Sequence, residues 1–515
     1  MDIKKKILAA LLGILVAAAL VAGIKWNVEN FVLVDLHFYP RNEEILDLRG
    51  QKIPPSRFDK LAKKLPGCEI LWDVPLSGGN VSSDSETEQL TALSGEDVAL
   101  FSYLENLRTL DADGCADYEN LLALEAACPD LEISYSVQLG TDRFDHEAEA
   151  ITVEGVTAAE FSRLDNMKYL KYLICAGAET SAATGLREAC EARNIGFSVL
   201  VGGELLDMDT EEAVVEAATE ADTFLLASLP NLKKVHIVKP LATAAQLQSL
   251  AENNPGLEVT WEAEVFGVLC SSEDTELDLS GAKVTDLGQL ESALEWFLKA
   301  ETVFLGLCGI DNETLAAHRE ENRERYKLVW TVQLGEKLTA RTDDISFMPV
   351  REHVYYFNDE EAYNLRYCED MVCIDIGHMS IHNIDFVEFM PDLTYLILAH
   401  TQLNYIEPIS SCKNLKFLEL DWSPIRDLSP LVGCTALEDL NLGNTFADFE
   451  PIKEMTWLKN LWVIDCSGGT AYKMSQALPD TKVQGAGSAT VDSGWRDLPN
   501  YYDMRDVLGM HYMSW

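Results

Sequence analysis

Positive charge is what this chain has least of. Forty Lys and Arg stand against 85 Asp and Glu, a formal charge of −45 over 515 residues. A surface that acidic repels nucleic-acid phosphates and anionic lipid headgroups, which excludes nucleic acid as a partner and leaves solubility or cationic partners. The spaced signatures of catalysis are missing as well. There is no GxSxG, GxxxxGK[ST], HExxH, GxGxxG or CxxC, so no hydrolase elbow, phosphate loop, zinc helix, dinucleotide loop or redox dithiol is indicated. No cofactor and no resident metal are expected. Residues 318–322 (HREEN) lack the second His of a zinc helix and read as a solvated helix face. Twelve Cys are present, but their placement suits small buried apolar groups better than disulfides, a bridge between Cys368 and Cys373 being the exception left open.

Long apolar runs are scarce too; there is one, at residues 7–24, behind Lys4, Lys5 and Lys6. At 18 residues it fits either an N-terminal membrane anchor or a long signal peptide, with residues 17–19 (AAA) as a small-residue cleavage site. No Cys follows for lipid attachment. In either case the lysines stay inside and the remainder is exported, to the cell membrane with the repeats outside or into the medium. Residues 1–26 hold four Lys and one Asp, so the exported part carries −48.

What is present is a ladder. Leu393, Leu396 and Leu398 recur as Leu415, Leu418 and Leu420, as Leu437, Leu440 and Leu442, and as Leu458, Leu461 and Val463, at steps of 22, 22 and 21. Met371, Ile374 and Ile376 add a rung 22 residues earlier. The last two apolar positions alternate with other residues, the mark of a half-buried strand. Leu403, Ile406 and Ile409, then Ile425, Leu428 and Leu431, turn back beneath it, while Met390, Cys412, Cys434 and Met455 form an inner column. A period near 22 predicts a solenoid whose units bury one another's leucines. With Thr401, Ser423, Thr445 and Cys466 after the strands, and the run from Ile425 to Leu431, residues 371–466 resemble the leucine-rich repeats of bacterial internalin-like proteins. The resemblance implies an α/β leucine-rich-repeat solenoid, with a curved parallel β-sheet on the concave side, helices and turns on the convex side, and protein binding as its role.

A weaker period runs upstream. Trp72, Tyr135, Trp261 and Trp330 are spaced by 63, 126 and 69 residues, and Pro66, Pro129 and Pro255 keep step. Leu107, Leu170, Leu232 and Thr302 open a second series at 63, 62 and 70, and Ile45, Ile151 and Leu277 open a third. Residues 27–335 are therefore expected to form longer degenerate repeats of about 63 residues, each with about three strands. Helices are expected at 118–127, 243–252 and 312–325, and the slot at 196–199 matches least well. Residues 336–370 are a transition segment with a helix at 359–366. The aromatic tail, 467–515, is expected to cap the coil, or else to form a separate recognition element.

If the leucines point inward, Cys373, Tyr395, Phe417, Asp439 and Asn460 make one outward column, and Asp375, Ile397, Glu419, Asn441 and Trp462 a second. Tyr395, Ile397 and Phe417 should then form an exposed apolar patch rimmed by Glu419, Asp421 and Asp439, a pattern typical of contact sites. Tyr395, Ile397, Phe417, Glu419, Asp421, Asp439, Asn441 and Trp462 are the candidate binding residues for a protein or cell-surface polymer; no residue is assigned as catalytic. Three other roles remain in view. Asp375, Glu419, Asp421 and Asp439 could serve a carboxylate hydrolase of glycans or peptides, the coil could be a structural spacer, and His378 with His400 could hold a metal beside Asp375 or Asp421.

Overall fold

The computed structural model describes residues 3–178, 182–487 and 491–510, and the chain divides into two compact units, Met1–Thr260 and Trp261–Trp515. The first unit opens with helix α1, Ile3–Asn30. Among the described residues, Ile7–Asn30 is the one stretch of helix long and apolar enough to cross a membrane, and its apolar window is wholly exposed. Its 24 residues reach about 36 Å, against a hydrocarbon core of about 30 Å.

The rest of the first unit is built from short parallel strands joined by helices and closed by hairpins. Thr87–Gln89, Thr109–Asp111 and Glu132–Ser134 pair in parallel, and the antiparallel hairpin Ser136–Leu139 with Asp142–Asp145 follows. Ala150–Val156, Tyr172–Ala178 and Gly196–Val201 repeat the pattern, with Glu204–Asp207 as the antiparallel return. Parallel neighbours need a crossover. Helix Tyr118–Ala127 supplies one, burying Leu121 and Leu124, and Ala244–Asn253 supplies another, its Thr243 cap accepting from Gln246 N–H at 3.3 Å. Gly140 makes one hairpin turn possible: at φ +62 it passes so close to Glu154 that a Cβ would lie 1.9 Å from the Glu154 carbonyl oxygen.

One local device recurs wherever a strand runs into its hairpin. Trp72 N–H donates to Ser83 Oγ at 3.1 Å, and Ser83 N–H returns to Trp72 O at 2.9 Å. Within the second unit Trp261 pairs with Ser272 and Trp330 with Thr342 in the same way. At Tyr135 the partner is His146, which bonds the Tyr135 carbonyl through Nδ1 at 3.1 Å and stacks on the ring at 4.3 Å. All four aromatics are buried. Phe197 and Ser198 occupy the poorly matching slot, and Ser198 is buried against the Tyr172 hydroxyl.

In the second unit Glu276–Leu279, Thr302–Leu305 and Lys327–Gln333 repeat the three-strand pattern, with Thr339–Arg341 antiparallel. Helix Asn312–Asn322 carries His318. Contrary to the solvated face expected of it, His318 is buried and bonds the Tyr326 hydroxyl at 2.7 Å beside Glu291. An aromatic neighbour eight residues on supplied a polar partner that helical spacing did not reveal.

A parallel seven-stranded sheet follows: β1 Ser346–Phe347, β2 Cys373–Asp375, β3 Tyr395–Ile397, β4 Phe417–Glu419, β5 Asp439–Asn441, β6 Asn460–Trp462 and β7 Lys482–Gln484. It begins before, and ends after, the five rungs visible in the leucines. Short 3₁₀ turns, Asp385–Phe389, Glu407–Ser411, Ser429–Gly433 and Pro451–Glu454, return the chain. Pro408, Pro430 and Pro451 sit in their first turns, where no N–H is needed. Leu396, Leu418, Leu440 and Leu461 point into one core with Met390, Cys412, Cys434 and Met455. All twelve Cys are free thiols.

Candidate functional site

Each rung of this sheet presents two side chains on the face opposite its leucine. The register aligns Cys373, Tyr395, Phe417, Asp439 and Asn460 in one column, and Asp375, Ile397, Glu419, Asn441 and Trp462 in the other. This face was expected to be exposed, with the C-terminal tail folding over its aromatics as the alternative. Residues 491–510 lie over it.

Helix α2, Thr470–Ala477, precedes the covering segment; the helix that does the covering is α3, Pro499–Val507. Trp495, Leu498, Met504 and Leu508 form a single buried cluster with Cys373, Tyr395, Ile397, Ala399, Phe417, Trp462 and Ile464. Trp495 is 0% exposed. Its ring meets Phe417 at 4.6 Å and Trp462 edge-on at 5.4 Å, and its Nε1–H donates to Glu419 Oε2 at 2.9 Å. Trp462 Nε1–H donates to Ser493 Oγ at 2.8 Å, Asn500 Nδ2 to Asp439 Oδ2 at 3.0 Å, and Arg351 to the Leu508 carbonyl at 3.1 Å.

The exposed patch drawn from the sequence is therefore corrected. Tyr395, Ile397, Phe417, Asp421, Asp439, Asn441 and Trp462 are all buried, and Glu419 is partly buried. The physical reason is the spacing of Trp495, Leu498, Tyr501, Met504 and Leu508, an apolar stripe at three- and four-residue steps that needs a surface to cover. That stripe was the sequence signal for this arrangement. The tail as a whole divides, for α2 and β7 continue the ladder while residues 491–510 cross its face.

Desolvation dominates the electrostatics here. It pushes the Glu419 carboxyl up to about 7, with Asp375 and Asp421 adding to the rise and the Trp495 bond and Arg496 opposing it. Asp375 and Asp439 are raised by the same cause. Asp421 accepts from Asn444 Nδ2 at 3.3 Å. Gly443 N–H holds Asn441 Oδ1 at 3.0 Å, while Asn441 Nδ2 is buried without a hydrogen-bond partner among the described residues.

His378 and His400 do come together, stacked at 4.4 Å, with Trp422 continuing the stack at 5.7 Å. They occupy the left-handed corner of each rung, φ 62, 57 and 55. Among the described residues no group of three or more His, Cys, Asp or Glu is placed to hold a metal ion. The strand face in the first unit differs in character: Thr87, Gln89, Asp111, Glu132 and Ser134 line an open polar hollow.

One strand and one 3₁₀ turn per rung, over a ladder of buried leucines, is leucine-rich-repeat architecture, and the rungs resemble those of bacterial internalin-like proteins. No family model matches the sequence, and no curated protein does. Among solved structures the chain is similar to internalin C2 of Listeria monocytogenes, 20% identical over 28% of this chain and 70% of that one, with a TM-score of 0.23. An internalin of the same species, InlF, is 15% identical over 68% of this chain and 91% of that one, TM-score 0.25. A Leptospira interrogans leucine-rich-repeat protein is 12% identical over 80% and 95%, TM-score 0.22. At such scores the assignment rests on this chain's own rungs.

Proposed function

We propose that this is an exported, membrane-tethered leucine-rich-repeat protein that binds a polypeptide on the concave strand face of β2–β6. The observation that carries this reading is that the face already holds a polypeptide: residues 491–510 seat a tryptophan between Phe417 and Trp462 and a helix over Tyr395 and Ile397. A surface with aromatic pockets and hydrogen-bonding carboxylates at their edge is suited to helix-in-groove recognition. Two of the four carboxylates that a hydrolase would use are engaged in that packing, Glu419 by Trp495 and Asp439 by Asn500. The exposed apolar helix α1 supplies the tether.

The test is to pan a displayed library of peptides about 20 residues long against the full chain in lipid nanodiscs, carrying Trp495→Ala to loosen the resident segment. Enriched peptides should lose binding when Tyr395 and Phe417 are also replaced by Ala, with circular dichroism confirming the fold. Binding that is indifferent to those substitutions would overturn the reading.

A further inference from the structure

Residues 491–510 satisfy the apolar half of this face and hydrogen-bond some of its carboxylates, but leave its negative charge in excess. Four apolar side chains are buried against it. Beneath them Asp375 and Glu419 are both desolvated, and Arg496 of the covering segment is the cation that acts on each. Asn441 Nδ2 has no hydrogen-bond acceptor among the described residues. The covering segment adds to the negative charge, bringing Asp492, Asp497, Asp503 and Asp506 with Arg496 and Arg505 to a face that holds Asp375, Glu419, Asp421, Glu438 and Asp439, of which Glu438 is paired with Lys459. Desolvated carboxylates that share a single cation, Arg496, and a buried donor without an acceptor both oppose docking.

Resting on the binding function above, we infer that residues 491–510 are an exchangeable occupant of the strand face, and that the partner they stand in for is an amphipathic helical segment of another protein with an aromatic anchor and basic side chains. The aromatic anchor follows from the pocket between Phe417 and Trp462. The basic side chains follow from charge complementarity: a Lys at the place of Asn500 reaches Glu438 and Asp439, whose oxygens lie 3.2 and 3.0 Å from Asn500 Nδ2. A cation at the place of Asp503 removes a negative charge that acts on the Tyr395 hydroxyl. The partner thus keeps the apolar contacts and replaces like-charge repulsion by ion pairs.

The experiment uses the full chain in nanodiscs, intact and as Trp495→Ala, with two fluorescein-labelled peptides: the sequence of residues 491–510, and the same peptide carrying Asn500→Lys and Asp503→Lys. By fluorescence anisotropy the Trp495→Ala chain should bind the lysine peptide about tenfold more tightly than the native one, and the intact chain should bind the lysine peptide about tenfold more weakly than Trp495→Ala does. Equal affinity of the two peptides for a face that still binds both sinks the basic partner and leaves the binding function standing. No binding of either peptide by a folded Trp495→Ala chain sinks both. Independently of that variant, Asn500→Lys in the intact chain should raise the hydrogen-exchange protection of residues 491–510 about tenfold. Unchanged protection, or protection already limited by global unfolding, would overturn the inference.

Discussion

At the scale of single residues, the hydroxyls and the thiol that follow β3 to β6 act as built-in partners for the buried backbone. Thr401 Oγ1 and Ser423 Oγ both donate to the Leu398 carbonyl, at 2.8 and 3.0 Å, and Thr445 and Cys466 do the same for Leu442, at 2.7 and 3.2 Å. Replacing Thr401 by Val and Ser423 by Ala together should cost about 1–3 kcal/mol by orphaning one carbonyl, read as a shift of the urea midpoint at constant slope. Either replacement alone should cost less, because the other hydroxyl remains. The slots were legible in the sequence because they recur with the leucines. His318 was not: its neighbours in space, Tyr326 and Glu291, come from outside its own helix, so no helical period points to them.

At the scale of elements, the docking of α3 and its flanking residues is proton-linked. Glu419, with its carboxyl held up to about 7, faces Asp375, Asp421, Trp495, Arg496 and Tyr501. A carboxyl raised on docking takes up protons between its ordinary range and that value. Docking is therefore strongest below the ordinary carboxyl range and weakens as pH rises through about 7. Hydrogen exchange of residues 491–510, corrected for intrinsic rate, should show greater protection at pH 6 than at pH 8, and Glu419→Gln should flatten that dependence. Trp495→Ala should remove about 3–5 kcal/mol from docking, with loss of protection confined to this segment. The individual strands were legible because the leucines mark them directly. The apolar stripe of the tail was also visible, but a stripe states only that it needs cover, and the surface that answers it lies 76 residues away at Glu419.

At the scale of the molecule, an apolar helix of 24 residues precedes a body of high negative charge. Full-length protein should sediment with membranes and resist carbonate extraction, while a chain lacking residues 1–26 should remain in the supernatant; sedimentation of both alike would remove the tether. The association rate of the lysine peptide should fall as salt rises from low to physiological concentration, since steering between a basic ligand and an acidic face is screened within about 8–10 Å. The sequence by itself determined the leucine ladder, its near-22-residue step and the inward direction of Leu396, Leu418, Leu440 and Leu461, because strand alternation and repeat spacing are local properties of the chain. It also marked Trp72, Tyr135, Trp261 and Trp330 as one recurring position. Only the tertiary structure decided that Tyr395, Phe417 and Trp462 are covered and that carboxylates are desolvated beneath them. Burial of an outward-facing side chain depends on which distant segment returns to it, and no period in the rungs encodes that return.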